Sequence, residues 1–208
     1  MTRAIDHLVL AVPDLGEGVE YVEGMFGIRP SAGGRHPGWG TMNALLALGP
    51  ACYLEVIGPD PQQPEVAGRR LFGVDLLDGP RLVSWAAKGT DLQTLANAVR
   101  SAGIDLGTVV EGSRITPDGI LLSWKLTDPY QTGAGGLRPF LIDWGTTPHP
   151  AGAAASGCTL VGLRAEHPEP KAVKDMLDRL DIVLPITLGA SPALIATIDS
   201  PLGAVELR

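Results

Sequence analysis

The chain has few cysteines, few charged residues and no long basic run, and each scarcity argues against a class of protein. Its 208 residues include two cysteines, Cys52 and Cys158, without the CxxC or Cys/His spacing of a zinc site. Both lie beside apolar runs, so we expect buried thiols that are not nucleophiles. Charged residues make up 19% of the chain, with 16 basic against 23 acidic side chains. Without clustered lysine and arginine, nucleic-acid binding is not expected.

Long apolar segments are absent as well. No stretch approaches the roughly 18 apolar residues that a membrane-spanning helix needs. Asp6 and His7 interrupt the first apolar stretch, which argues against the core of a signal peptide. We therefore expect a cytoplasmic protein without a membrane partner. The sequence also contains no nucleophile elbow, phosphate-binding loop or dinucleotide fingerprint.

The sequence does contain a pattern that recurs. A short apolar strand, an acidic helix start, an amphipathic helix and further apolar strands follow one another from about residues 4, 82 and 159. Asp14 and Asp91 are expected to cap the first two helices. The repeat predicts a first module over residues 1–60, a connection over 61–80, a second module over 81–145, a linker over 146–157 and a third, compact module over 158–208.

The recurring order of elements predicts an α+β fold. Each unit reads as a βαβββ module, and repeated modules of this kind form curled mixed sheets around a cavity. A helix is expected to cover one face of each sheet, and the other faces meet across the cavity. The modules together would form a single unit.

His7 and Glu55 are the most informative polar residues of the predicted strands. Glu55 lies among Leu54, Val56 and Ile57, where a carboxylate is costly to bury unless it is paired or bound to a cation. An imidazole and a carboxylate on neighbouring strands suit a divalent metal ion. The alternative is a buried hydrogen bond between the two side chains that only supports the sheet.

The segment from Gly33 to Asn43 is predicted to be a glycine-rich loop that comes close to a ligand. Arg35 and His36 could meet an anion or a carbonyl, and Asn43 could donate to an oxygen. The alternative is a flexible loop whose glycines only permit tight turns.

The tryptophans are Trp39, Trp85, Trp124 and Trp144. Their indole rings make good walls for an apolar or aromatic ligand, and they are equally ordinary core residues.

These residues carry a resemblance to a known family. The pattern His7-Leu-Val-Leu … Gly33-Gly-Arg-His36-Pro-Gly-Trp-Gly40-Thr-Met-Asn43 … Tyr53-Leu-Glu55-Val-Ile resembles the glyoxalase-like branch of the vicinal oxygen chelate (glyoxalase/bleomycin resistance/dioxygenase) superfamily. The resemblance implies paired βαβββ modules whose first and fourth strands supply metal ligands. His7 and Glu55 stand at these two positions of the first module.

The later modules depart from the superfamily pattern. In the second module Ser84 stands at the histidine position and Ile142 at the glutamate position. Asp143, one residue along, is a third ligand only if a bulge turns it toward the site. In the third module Glu206 stands at the glutamate position, but Gly162 stands at the histidine position. His149 and His167, each beside a proline, are expected to lie in exposed loops.

The resemblance implies metal-assisted lyase, isomerase or dioxygenase-type chemistry on a small oxygen-bearing molecule. His7 and Glu55 would hold a divalent ion, and zinc, manganese, iron and nickel all suit this pair. Glu55 and His36 would be catalytic, with His36 or Asp143 moving a proton. The expected substrate-binding residues are Arg35, Trp39, Asn43, Trp124, Asp143 and Trp144. The alternative is a metal-free protein that binds or sequesters a small molecule. Because dimers are common in the superfamily, a homodimer is compatible with either function.

Overall fold

The computed structural model describes residues 2–66, 68–116, 119–131 and 133–208. The chain starts with the predicted strand and helix, which are β1 (Ile5–Ala11) and α1 (Leu15–Phe26). Asp14 Oδ1 accepts a hydrogen bond from Glu17 N at 3.0 Å, so it caps the helix as expected. Gly27 ends the helix in the left-handed region, with φ of 72°. Three antiparallel strands follow: β2 (Ser31–His36), β3 (Thr41–Gly49) and β4 (Cys52–Pro59).

The second repeat has the same order of elements. Its strands are β5 (Arg81–Lys88), β6 (Val110–Ile115), β7 (Leu121–Leu126) and β8 (Phe140–Asp143), and its helix is α2 (Leu92–Arg100). The prediction that Asp91 caps α2 is wrong. Asp91 has φ of 49° and ψ of 51°, and its side chain makes no capping hydrogen bond. A capping residue needs an extended backbone to aim its side chain at the helix, and Asp91 has left-handed geometry instead.

Both repeats join in one curled eight-stranded sheet, in the order β2-β3-β4-β1-β5-β8-β7-β6. Within each half the first strand pairs in parallel with the fourth, and the halves meet at the antiparallel pair β1 and β5. The outer strands β2 and β6 approach each other, and Arg114 Nη1 donates to Gly33 O across the gap at 2.6 Å. The predicted fold class, a vicinal oxygen chelate fold, is confirmed.

The third repeat keeps the order of elements but not the pairing of strands. It comprises β9 (Thr159–His167), α3 (Pro170–Asp178), β10 (Ile186–Leu188), β11 (Ala193–Ser200) and β12 (Gly203–Leu207). Its sheet has the order β10-β9-β11-β12, so the first strand pairs in parallel with the second strand and not with the fourth. Glu206 therefore lies on an outer strand, exposed, where Arg164 Nη2 donates to it at 3.0 Å.

Strand alternation separates two apolar layers on the eight-stranded sheet. On β1, Leu8 and Leu10 face the helices and join the larger core, together with Leu54 and Val56 of β4. Val9 and Ala11 face the other way, into a second cluster with Phe140 and Ile142 of β8. This second face carries His7 and Glu55. None of the described helices is long and apolar enough to cross a membrane.

Residues 146–157, predicted to be a linker, pack against the first half of the sheet. Ala47 N donates to Ala155 O at 2.7 Å, and Ala155 N donates to Ser31 Oγ at 3.1 Å. A short 3₁₀ helix, Pro150–Gly152, lies against β3 and follows His149. The segment thus holds His149 beside the first module.

The connection over 61–80 also has a structural role. It contains a 3₁₀ helix, Leu71–Leu76, in which Phe72 has φ of 57°. A positive φ is costly for an aromatic residue and persists only where the surrounding structure requires it. Arg70 Nε anchors the segment by donating to Gly40 O at 3.0 Å. Leu71 and Phe72 thereby form part of the wall of the cavity described next.

Candidate active site

A cavity of about 40 Å³ lies between the two halves of the eight-stranded sheet. Most of its wall is apolar or aromatic, with a few polar groups at one side, which is the usual composition of a small-molecule site. The apolar and aromatic residues are Trp39, Tyr53, Leu71, Phe72, Trp124, Leu126, Pro129, Phe140, Ile142 and Trp144, and the polar ones are His7, His36, Asn43, Glu55 and Arg114.

The carboxylate of Glu55 lies between two imidazoles. Its Oε2 is 3.9 Å from His7 Nε2, and its Oε1 is 3.9 Å from His36 Nε2. Asn43 Nδ2 donates to Oε1 at 2.5 Å. All four side chains are buried. The structure thus brings together four of the residues that the sequence singles out, although they come from four different strands.

A chain of hydrogen bonds sets the protonation of His36. Asn43 Oδ1 accepts from Gly34 N at 2.8 Å, so its Nδ2 faces His36 Nε2 at 3.3 Å and is the donor. His36 Nδ1 must then carry the proton, which it donates to Thr41 Oγ1 at 3.0 Å. Burial lowers the pKa of His36, against the opposing charge of Glu55. His36 is therefore a neutral imidazole.

The prediction that Gly33 to Asn43 forms a loop is wrong. β2 and β3 pair as an antiparallel hairpin, with Gly34 opposite Asn43 and His36 opposite Thr41. Only residues 37–40 form the turn. Glycines are poor strand formers, but here they are paired on an edge strand and leave room for the side chains of neighbouring strands.

Replacing Gly33 by alanine should disturb the polar cluster. A Cβ at this position would lie 2.1 Å from Asn43 Oδ1 and would displace the amide that contacts Glu55. We expect Gly33→Ala to lower the free energy of unfolding in urea by about 1–3 kcal/mol. Gly24→Ala is the control, because no atom lies within 4 Å of its Cβ position in α1. That variant should gain up to about 1 kcal/mol of stability; equal effects of the two changes would contradict the packing argument.

Asp6 belongs to the site, although its sequence context alone does not single it out. It is fully buried, and His7 Nδ1 lies 2.9 Å from its Oδ1, with Trp144 Nε1 at 3.2 Å from the same oxygen. Lys88 Nζ donates to Oδ2 at 2.6 Å, and His149 Nε2 lies 3.2 Å from it. His7 therefore holds its proton on Nδ1 and presents Nε2 to the cavity. The expectation that His149 is an exposed loop residue is wrong.

The partners of Asp6 determine its charge. Burial by itself would raise the pKa of this carboxyl, but the hydrogen bonds from His149, His7 and Lys88 outweigh it. They hold the pKa of Asp6 well below its usual range. The sequence signal that could have found Asp6 is an acid beside His7 inside an apolar strand, because a carboxylate there requires partners.

Two predicted substrate-binding residues do not reach the cavity. Arg35 Nη1 lies 2.6 Å from Asp60 Oδ1, on the outer side of β2, because the alternating position on that strand is taken by His36. Asp143 Oδ1 accepts from Gly145 N at 2.9 Å, and no bulge turns this side chain inward. The other four predicted substrate-binding residues line the cavity: Trp39, Asn43, Trp124 and Trp144.

The remaining aromatic residues divide between cavity and core. Tyr53 stacks on His7, with ring centroids 4.6 Å apart and an interplanar angle of 17°. Burial raises the pKa of Tyr53, and the charge of Glu55 adds to this effect, so the phenol stays protonated. Trp85 lies on the opposite face of the sheet, in the larger core, and its Nε1 donates to Leu137 O at 3.0 Å.

The expected cysteine chemistry agrees with the structure. Cys158 is buried and Cys52 is half-buried, and both are free thiols. Burial raises the pKa of Cys52 to about 12, with a further contribution from the charge of Asp6. A thiol with so high a pKa is a poor nucleophile.

The side chains that the structure describes do not make up a metal site of three or four ligands. Within the described ranges, no group of three histidine, cysteine, aspartate or glutamate residues is arranged to hold an ion. His7 and Glu55 supply two donors, but the strand register places Ser84 and Phe140 at the corresponding positions of β5 and β8. A hydroxyl and a hydrocarbon cannot replace imidazole and carboxylate as ligands for a transition metal. The residues present therefore do not fit a transition-metal ion.

Comparison with known proteins identifies the family. Residues 5–180 match the family model described as "Glyoxalase-like domain", which is most of the chain. The chain belongs to the glyoxalase-like domain family. The resemblance drawn from the sequence is thus confirmed, and this glyoxalase-like protein is a member of the vicinal oxygen chelate superfamily. No curated protein matches it.

Several solved structures are similar to the glyoxalase-like protein, and the two with TM-scores above 0.5 show the same fold. A hypothetical protein from Staphylococcus aureus is 12% identical, with a TM-score of 0.64, over 97% of this chain and 83% of that one. A mutant of 4-hydroxymandelate synthase from Streptomyces coelicolor is 15% identical, with a TM-score of 0.54, over 99% of this chain and 61% of that one. Methylmalonyl-CoA epimerase from Mycobacterium tuberculosis is 20% identical, with a TM-score of 0.41, over 66% of this chain and 84% of that one.

Proposed function

We propose that the glyoxalase-like protein is an enzyme that transfers a proton on a small oxygen-bearing molecule held in the cavity. The observation that carries this proposal is the position of the Glu55 carboxylate between His7 and His36, at the polar side of an otherwise aromatic cavity. A general base must lie within hydrogen-bond reach of the proton that it removes. Exclusion of water lowers the local dielectric constant, which strengthens the electrostatic interaction between the base and the ligand. Isomerase and lyase reactions that pass through an enolate begin with such a proton transfer.

Glu55 is the proposed base. Its Oε1 accepts the hydrogen bond of Asn43, which leaves Oε2 to take a proton from the carbon next to a ligand carbonyl. His7 Nε2, 3.9 Å from Oε2, is the proposed next proton carrier. Asp6 behind His7 would stabilise the imidazolium that forms, as the buried carboxylate does in hydrolase triads.

The test is a solvent-exchange experiment. The purified protein, prepared without a histidine tag, is incubated in D₂O with a panel of small aromatic 2-oxo and 2-hydroxy acids, aldehydes and ketones. Proton NMR then follows the loss of the signal at the carbon next to the carbonyl. We expect exchange at least about 100-fold above the buffer rate for one compound class, unchanged by a chelator. Exchange that disappears with the chelator and returns with one divalent ion would restore the metal-assisted hypothesis with His7 and Glu55 as ligands.

A second candidate function is binding without turnover. The aromatic wall favours it, since Trp124 and Trp144 lie with ring centroids 5.3 Å apart and offer large apolar surface to a flat ligand. In that case compounds from the panel would raise the melting temperature without any exchange of protons. Stabilisation without exchange across the whole panel would therefore replace the enzymatic proposal.

A further inference from the structure

Arg114 is a buried cation with little compensation. It lies on β6, is 8% exposed, and lines the cavity. Its Nη1 donates to Gly33 O at 2.6 Å, and no carboxylate oxygen of the described residues is within 4 Å of the guanidinium. Burial lowers the pKa of Arg114, while the charge of Glu55 acts in the opposite direction. A guanidinium nevertheless stays charged in proteins, so the charge remains inside.

A structural role alone does not account for this arginine. One backbone carbonyl occupies one of its five N–H donors, and a neutral donor would tie β6 to β2 equally well. A buried charge is costly unless an opposite charge meets it. The fork of a guanidinium matches a carboxylate, which it binds through two parallel hydrogen bonds.

Arg114 borders the same cavity as Glu55 and lies beside apolar side chains. A Cβ at Gly34 would lie 3.0 Å from Arg114 Cδ and 3.1 Å from Nη1, so the glycine makes space for the guanidinium. On the partner strand, Leu122 and Trp124 flank it on the same face of the sheet. A ligand with its acid group at Arg114 would lay an apolar body against Trp124 and keep its reacting carbon in the same cavity as Glu55.

We propose that Arg114 binds the carboxylate of the ligand, so that the site takes small carboxylic acids with an apolar or aromatic body. This inference rests on the proposed function and narrows its substrate class. The proposal also gives the two charges in the cavity opposite effects on the acid group of the ligand. Arg114 attracts the acid group, whereas Glu55 repels it and acts on the neutral part of the molecule.

The test compares acids with their neutral amides. Binding of benzoate and benzamide, phenylacetate and phenylacetamide, and indole-3-acetate and indole-3-acetamide is measured by calorimetry at pH 7.5. We expect the wild type to prefer at least one acid by roughly 10- to 100-fold, as a buried charge-assisted contact provides. Arg114→Gln should remove the preference while amide binding persists. Arg100→Gln, the same change on an exposed arginine of α2, should keep it.

Several outcomes would overturn the proposal. The proposal is wrong if the wild type binds no acid more tightly than the matching amide. It is also wrong if a folded Arg114→Gln protein keeps the wild-type preference for the acid. If that variant does not fold, Arg114→Lys takes its place; it lacks the planar fork, and an unchanged preference in it would also contradict the proposal. Glu55→Gln separates this inference from the proposed function, because it should retain or increase acid preference whether or not Glu55 is the base.

Discussion

Glu55→Gln should abolish proton exchange by the glyoxalase-like protein and leave it folded. Glutamine keeps the shape of the side chain and an oxygen that can accept from Asn43 Nδ2, so the local hydrogen bond survives. It cannot take a proton at Oε2. A positioned general base contributes about 10²- to 10⁴-fold to rate, and we expect a loss in that range by NMR in D₂O. Binding of a neutral ligand should change little.

The chain offers a matched control for this substitution. Glu206 occupies the equivalent sequence position in the third repeat, but it lies exposed on β12, where Arg164 Nη2 contacts it at 3.0 Å. Glu206→Gln should leave the exchange rate at the wild-type value. If Glu55→Gln retained more than a tenth of the exchange rate, the assignment of Glu55 as the base would be wrong.

Asp6→Asn should cause a large loss of stability. It removes a buried negative charge that contacts Lys88 Nζ at 2.6 Å and the imidazoles of His7 and His149. Lys88 keeps access to water, since a third of its side chain is exposed, which moderates the cost. We expect the free energy of unfolding to fall by about 2–4 kcal/mol in urea denaturation at pH 7.

The loss of stability caused by Asp6→Asn should depend on pH in a defined direction. The pKa of Asp6 is depressed in the folded protein, so the unfolded chain binds the proton first as the pH falls. The advantage of the wild type over Asp6→Asn is fully present above the unfolded value of about 4. It should shrink as the pH falls below that value toward the depressed pKa.

A surface carboxylate provides the control for the pH experiment. Asp175→Asn on α3 breaks an exposed contact with Lys171 and should change the pH dependence of stability much less than Asp6→Asn does, because solvent screens the exposed pair. A wild-type advantage over Asp6→Asn that stayed constant from pH 7 to pH 3 would show that the charge of Asp6 does not stabilise the fold.

Much of the fold and part of the site can be predicted from local patterns. The short, nearly continuous apolar runs of β1 and β4 predict strands, and because successive side chains point to opposite faces, His7 and Glu55 lie on defined faces. Nearby residues also determine the apolar face of α1 and the positions at which the helix begins and ends, after Asp14 and at Gly27. Residues within a few positions of one another determine these features, so the chain order is enough to find them.

Features that depend on distant partners are not predictable in this way. The hairpin around Gly33 consists of residues with weak strand preference, and its pairing with β3 decides its conformation. Asp6 gains its role from Lys88 and His149, which lie on β5 and in the segment before β9. Arg114 becomes a cavity residue only because β6 curls back toward β2.

The sequence by itself determined most of the strands and helices and their order, the buried faces of those strands and the residues on which the family resemblance rests. The tertiary structure decided which charges meet, which side chains enter the cavity and how the strands of the third repeat pair. The physical reason is that periodicity and capping act between neighbours in the chain. Hydrogen bonds and burial of polar groups depend instead on which distant strands pack together.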